Sequence, residues 1–142
     1  MGIVKTMEDQ PMISTKGRYA IRLIIDVAEN SNGSPVTLDA IATRQGISKK
    51  YLESIVKLLV TGKLVKGTSG KGGGYSLTKL PEEYHILDIL ELTEGSLSSV
   101  ACLENGAEKC PFEAKCKTVS MWKGYNNLTR DYFSRITIKD LL

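Results

Sequence analysis

Three cysteines in a short polar segment are the residues of this chain best suited to metal or redox chemistry. They follow the pattern Cys102-x7-Cys110-x5-Cys116, and the chain has no other cysteine. An odd, tightly clustered set in a protein that we expect to be cytoplasmic is poor evidence for a disulfide framework. Thiolates are the usual ligands of iron–sulfur clusters, and nearby cations stabilise thiolates. Three such cations are present: Lys109, Lys115 and Lys117.

The fourth position of such a cluster has no obvious ligand. A cluster commonly takes four protein ligands, so three cysteines leave one place open. By proximity in the sequence the candidates are Glu104, Glu108 and Glu113. Alternatively, a small molecule or a residue of the partner chain completes the shell. His85, the only histidine, lies in a different segment and needs no special role. Other interpretations stay open: a direct thiol switch that forms a disulfide, zinc, although the spacing lacks a C-x2-C pair, or no cofactor.

A dense group of basic residues predicts contact with a nucleic-acid backbone. Residues 43–79 contain eight basic side chains and one acidic side chain, Glu53, which gives a local charge of +7 in a chain whose total is +3. Such a density favours binding to phosphates. The basic residues are Arg44, Lys49, Lys50, Lys57, Lys63, Lys66, Lys71 and Lys79.

An overlapping stretch, from Val36 to Leu77, has the pattern of a winged helix-turn-helix. A short helix over Leu38–Gln45 and a turn at Gly46-Ile47 precede a second helix that Ser48 can cap. Apolar residues recur at helical spacing in that second helix: Leu52, Ile55, Val56 and Leu59. Its polar residues therefore fall on the opposite face, where we expect DNA. Glycines occupy four of the five positions 70–74, which is typical of a wing tip between two short strands, 64–66 and 75–77.

The flanking segments complete a mainly α architecture. A first helix is predicted from Ser14 or Thr15 to about Glu29, and a fourth after Pro81, ending at Gly95. A long helix from about residue 114 to 135 carries an apolar stripe, which a second copy of the chain would cover. The stripe comprises Val119, Trp122, Tyr125, Leu128, Tyr132 and Ile136. We therefore divide the chain into an N-terminal extension (1–11), a DNA-binding domain (12–95), a cysteine segment (96–117) and a dimerisation segment (118–142).

Composition excludes several classes of protein. A chain of 142 residues with ordinary apolar and charged fractions suits one soluble domain. We expect no contact with a membrane, because the apolar runs are too short to span one and residues 1–11 lack the apolar core of a signal peptide. An enzyme is not expected, since the sequence has no nucleophile–base pair and only one histidine.

Three stretches together resemble the IscR/NsrR/CymR family of bacterial winged-helix transcription regulators. They are 12–20 (MISTKGRYA), 47–53 (ISKKYLE) and 70–75 (GKGGGY), and the similarity extends to 136–141. The resemblance implies a homodimer whose long C-terminal helices cross and whose recognition helices read a partly palindromic double-stranded operator. It also implies a 2Fe–2S or 4Fe–4S cluster on Cys102, Cys110 and Cys116, which match the three cysteines of cluster-binding members.

Single positions also carry over from that family or depart from it. Glu53 matches a recognition-helix carboxylate that contacts a base, and a carboxylate can accept from the amino group of cytosine. Ser69 stands at the family's wing arginine, Val119 at a histidine ligand, and Arg18 at the aspartate ligand of nitric-oxide sensors. The DNA-binding residues that we predict are Ser48, Lys49, Lys50, Tyr51, Glu53, Lys57, Lys71 and Gly72.

The function predicted from the sequence is that of a homodimeric, DNA-binding transcription regulator, most simply a repressor. It would sense iron–sulfur, redox or nitric oxide status through a cluster on the three cysteines. The alternative is a repressor of sulfur or cysteine metabolism without a cluster, controlled by thiol oxidation or by a partner protein.

Overall fold

The computed structural model describes residues 13–98, 100–103, 108 and 110–142. The predicted extension 1–11, and Met12, Glu104 and Lys109, lie outside the described residues. The helices are α1 (Thr15–Asn30), α2 (Leu38–Gln45), α3 (Lys49–Thr61), α4 (Ile86–Glu94) and α5 (Val119–Arg135). The strands are β1 (Val65–Thr68) and β2 (Gly74–Leu77), which pair antiparallel. These elements confirm the predicted mainly α fold with a small β-wing.

Local capping explains where the first three helices begin. A hydroxyl side chain precedes each of them and accepts a hydrogen bond from a backbone N–H group in the first turn. These caps are Ser14, Thr37 and Ser48. Gly46 ends α2 in the left-handed conformation, with φ of 65°, and so allows the tight turn into α3.

A single apolar cluster joins α1, α2, α3 and α4 behind the wing. The helices bury one face each, as their periodicity predicts. Members with no exposed surface include Leu23, Ile24, Ile41, Leu52, Ile55, Leu59, Ile89 and Ile138. The core therefore holds α3 on one side and leaves its opposite side to solvent.

The C-terminal residues return to this core, and two helices begin later than the sequence predicts. Ile138 is fully buried, and its N–H group donates to the carbonyl of Tyr84, while Ile86 N–H donates to the Ile136 carbonyl (both 2.9 Å). This pairing holds Tyr84 extended, so α4 begins at Ile86 rather than directly after Pro81, where a short 3-10 turn forms instead. A further 3-10 turn at Glu113–Lys115 delays the start of α5 to Val119. Among the described residues, no helix combines the length and apolarity needed to cross a membrane.

Candidate nucleic-acid interface and cysteine segment

Helix α3 presents its polar residues to solvent, as the sequence predicts. Its exposed polar residues include Ser48 at the cap, Lys49, Lys50, Glu53 and Lys57. Tyr51 is half-buried, and its N–H group donates to the Ser48 hydroxyl oxygen (3.2 Å). Since capping uses only the acceptor of that hydroxyl, its O–H remains able to donate to a phosphate.

The lysines of α3 differ in how much of their charge is free. Lys49 Nζ lies 3.1 Å from a carboxylate oxygen of Asp39, in the first turn of α2. Lys50 and Lys57 form no ion pair within the described part of the chain. The positive charge available to a phosphate on this helix is therefore greatest at Lys50 and Lys57. The charge count over residues 43–79 did not include Asp39, because Asp39 lies just before that window.

The charge of Arg44 is paired with a buried carboxylate of the protein. Its guanidinium donates to both oxygens of Asp26, from Nε at 3.0 Å and from a terminal nitrogen at 2.6 Å. Asp26 is 1% exposed, and it also accepts from Gln45 Nε2 (2.9 Å). The hydrogen bond to Asp26 raises the pKa of Arg44. The DNA-facing charge is therefore smaller than the residue count of 43–79 indicates. The sequence feature that could have predicted this ion pair is Asp26, a carboxylate on the otherwise apolar face of α1.

The wing depends on a close approach at its base. Val36, between α1 and α2, pairs with Tyr75 through hydrogen bonds of 2.8 and 2.9 Å. A Cβ atom on Gly74 would lie 2.5 Å from the Val36 carbonyl oxygen, so only glycine permits this approach. At the tip, Lys71 and Gly72 are exposed, and Gly72 has φ of 78°. The wing tip therefore offers a cation and an open backbone, both suited to phosphate.

The cysteine segment presents its thiols without assembling them. Cys102 and Cys116 are exposed, Cys110 is half-buried, and all three are free thiols. Within the described residues, no three cysteine, histidine or acidic side chains form a group able to hold a metal ion. The Thr118 hydroxyl lies 3.5 Å from Cys116 Sγ, and hydrogen bonding by Thr118 lowers the pKa of Cys116. The donor chemistry suits an iron–sulfur cluster, but the segment would have to close to bring these ligands together.

Two of the residues considered as a fourth ligand, Glu113 and His85, have other contacts. Glu113 lies 3.8 Å from Lys123 on α5, as a loose ion pair. Glu108 is exposed. His85 Nδ1 lies 2.9 Å from the Ser134 carbonyl oxygen and so links the start of α4 to the end of α5. The contact of His85 is thus structural, in a different region from the cysteines.

Helix α5 carries large apolar side chains that face solvent. Met121 is 55% exposed, Tyr125 53%, Leu128 71% and Tyr132 62%. A groove of about 850 Å³ runs beside the last three, and Ile13 also lines it. Keeping large apolar side chains in water is unfavourable relative to burying them, and a patch of this kind is typical of an interaction surface.

The comparisons with known proteins place the chain in a family. The Rrf2 family, described as iron-dependent transcriptional regulator, matches residues 13–142. The HTH-type transcriptional regulator IscR of Pectobacterium atrosepticum is 34% identical over 130 residues, which is 92% of this chain and 78% of that relative.

Solved structures agree with the sequence matches. CymR, the global cysteine regulator of B. subtilis, has a TM-score of 0.77 at 32% identity, covering 92% of this chain and 95% of that one. IscR of T. potens has a TM-score of 0.71 at 32% identity, covering 92% and 85%. The protein is accordingly a DNA-binding transcriptional regulator and not an enzyme. On the match across 13–142 and these relatives, the chain belongs to the Rrf2 family.

Proposed function

We propose that the chain is a homodimeric repressor that reads a partly palindromic double-stranded operator. The observation that carries this proposal is the exposed polar face of α3, where Lys50 and Lys57 have no ion pair among the described residues and Glu53 lies between them. Lys71 and Gly72 at the wing tip would extend the contact to phosphates farther along the duplex. Phosphate contacts supply affinity, and contacts to base edges supply the reading of sequence.

Selection from a library of random duplexes tests this proposal without knowledge of the operator. A dimeric helix-turn-helix protein should enrich two inverted half-sites, whose centres are about 10 bp apart or a multiple of that distance. Enrichment of a single half-site would contradict the dimeric mode of reading. No enrichment at all would contradict sequence-specific binding.

Glu53 is the residue to which we assign base reading. Replacing it with alanine should relax the preference at one position of each half-site, because a carboxylate discriminates by accepting from the amino group of cytosine. Lys50→Ala is the matched control on the same face, and should weaken binding to selected and random duplexes alike. If the base preference of Glu53→Ala were unchanged, Glu53 would not be a residue that recognises a base.

The exposed face of α5 is the dimer interface in this proposal. Leu128 is 71% exposed and lies at the centre of the apolar stripe, so Leu128→Asp should shift sedimentation to a monomer. Ser120→Asp adds the same charge eight positions earlier on α5, at an exposed residue that does not line the groove, and should leave sedimentation unchanged. A wild-type protein that sediments as a monomer at micromolar concentration would contradict the interface.

For the signal, we propose an iron–sulfur cluster held by Cys102, Cys110 and Cys116. Three solvent-accessible thiols in one segment and the similarity to IscR proteins support this proposal. The cluster would supply sensitivity to oxidants, iron supply or nitric oxide, while the protein's own contribution is to hold the thiolates and close the segment around them.

Anaerobic purification followed by absorption spectroscopy and by iron and sulfide analysis tests the cluster. Visible bands with stoichiometric iron and sulfide, lost in Cys110→Ala, would support the ligand set. A colourless, iron-free protein that stays so after reconstitution would contradict it.

A thiol switch is the second candidate, and Cys116 specifically favours it. Its thiol is exposed and its pKa is lowered, which increases the thiolate that reacts with oxidants. With hydrogen peroxide, two thiols would form one disulfide while the peroxide is reduced to two water molecules. The similarity to CymR, a cysteine regulator, also fits this candidate. Peroxide-dependent loss of DNA binding by a cluster-free protein, restored by dithiothreitol, would support it.

A further inference from the structure

Three residues on one face of α1 contact residues on either side of the turn between α2 and α3. Tyr19, Arg22 and Asp26 are spaced i, i+3 and i+7, so they lie in one row along the helix. All three contact residues between 44 and 51, which form the end of α2 and the start of α3. We call Tyr19, Arg22 and Asp26 the α1 clamp.

Arg22 binds the last residue of α2. Its Nε donates to the side-chain oxygen of Gln45 (3.1 Å), and a terminal nitrogen donates to the Gln45 backbone carbonyl (2.5 Å). That carbonyl is one of the groups that a helix leaves without an internal partner at its C-terminus, where a cation is favoured. The planar fork of arginine makes both contacts at once, which the single ammonium of lysine cannot reproduce.

Tyr19 continues the row toward α3. The Arg22 guanidinium lies 5.1 Å from the centre of the Tyr19 ring, in cation–π geometry. The Tyr19 ring in turn meets the Tyr51 ring edge to face, with centres 5.7 Å apart and planes at 78°. Tyr51 lies in the first turn of α3, and it belongs to the predicted DNA-binding residues. The orientation of its ring is therefore set from α1.

Asp26 closes the other end of the clamp. Gln45 accepts from Arg22 through its side-chain oxygen and donates to Asp26 through its side-chain nitrogen (2.9 Å). The buried carboxylate also holds Arg44. Both atoms of the Gln45 amide are thus used, and the end of α2 is held from two positions of α1.

We propose that Tyr19 and Arg22 are positioning residues for DNA recognition, which set the pose of Tyr51 and of the first turn of α3 against the base edges. The proposal rests on the function proposed above. A displacement of α3 weakens contacts to base edges more than contacts to phosphates. Base contacts need a defined geometry, whereas phosphate contacts are less sensitive to the exact position of the side chain. The α1 clamp therefore governs discrimination between sequences rather than general affinity for DNA.

The test compares Arg22→Lys and Tyr19→Leu with two controls. Arg18→Lys makes the same change one turn earlier on α1, at an exposed residue whose side chain hydrogen-bonds only to Thr15 among the described residues. Tyr19→Phe keeps the ring that meets Tyr51. Dissociation constants are measured for the selected operator and for a random duplex, each over a series of salt concentrations. Urea unfolding establishes that each variant is folded under the assay conditions.

We expect the ratio of random to operator dissociation constants to fall about tenfold in Arg22→Lys and Tyr19→Leu, comparable to the loss of one good base contact. The random-duplex constant and the salt slope should not change. Both controls should keep the wild-type ratio. Hydrogen exchange should quicken at the amides of residues 46–52 in the two test variants and stay unchanged in the middle of α3.

Other outcomes would overturn the proposal in distinguishable ways. A further variant, Arg22→Ala, removes the charge as well, and equal weakening of its operator and random binding with a lower salt slope would make Arg22 a phosphate contact. Wild-type ratios in both test variants would show that Tyr19 and Arg22 have no role in the recognition of sequence. A wild-type protein without any sequence preference would overturn the proposed function and this inference together.

Discussion

The hydroxyl of Tyr84 closes the base of the wing, and Tyr84→Phe removes that hydroxyl alone. Tyr84 is 1% exposed. Its O–H donates to the Leu64 carbonyl (2.5 Å), and its oxygen accepts from the N–H group of Thr78 (3.0 Å). Leu64 directly precedes β1, and Thr78 directly follows β2. One buried side chain thus joins the two ends of the wing.

The structure sets the expected loss of stability. A hydrogen bond within a protein contributes about 1 kcal/mol of net stability. Tyr84→Phe removes two of them, one to the Leu64 carbonyl and one from the N–H group of Thr78. We therefore expect Tyr84→Phe to lower the free energy of unfolding by about 2 kcal/mol. For a chain of this size that corresponds to a fall in melting temperature of roughly 4 to 8 °C.

Urea unfolding followed by circular dichroism measures this loss. Tyr75→Phe is the matched control, because Tyr75 lies in the same wing and its hydroxyl has no hydrogen bond within the described residues. The control should stay within about 0.5 kcal/mol of the wild type. A Tyr84→Phe variant as stable as the control, with an unchanged slope against urea, would refute the assignment of Tyr84 as the tie at the wing base.

Two further predictions concern charge. Lys50→Ala should reduce the slope of log affinity against log salt by about 1.8, since a dimer loses two phosphate contacts, and Lys49→Ala by less, because Asp39 already pairs with Lys49. Equal slopes for the two variants in an anisotropy titration would contradict this ranking. Thr118→Val should raise the pKa of Cys116 toward its ordinary value, because a hydrogen bond that stabilises the thiolate is lost. Alkylation of Cys116 by iodoacetamide should then require a higher pH, whereas Thr118→Ser should retain the wild-type profile.

The local elements could be predicted from the sequence because their signals lie within a few residues of one another. Ser48 caps a helix whose apolar residues recur at helical spacing, and α2 runs over Leu38–Gln45 as predicted. The glycines at 70–74 likewise place the wing turn between the two strands. Less local features shifted the predicted boundaries: α4 begins later because the C-terminal residues pair with Tyr84.

The distribution of charge and the contacts of the α1 clamp were decided by tertiary structure alone. Arg44 and Asp26 lie 18 positions apart in the chain, and packing of α1 against α2 pairs the Arg44 guanidinium with the buried Asp26 carboxylate. Tyr19 meets Tyr51 for the same reason, across 32 positions. Helix capping and apolar periodicity involve residues that are close in sequence, so the helices that they define can be predicted from the sequence. Which charges remain free for DNA depends on partners that only folding brings within hydrogen-bond distance.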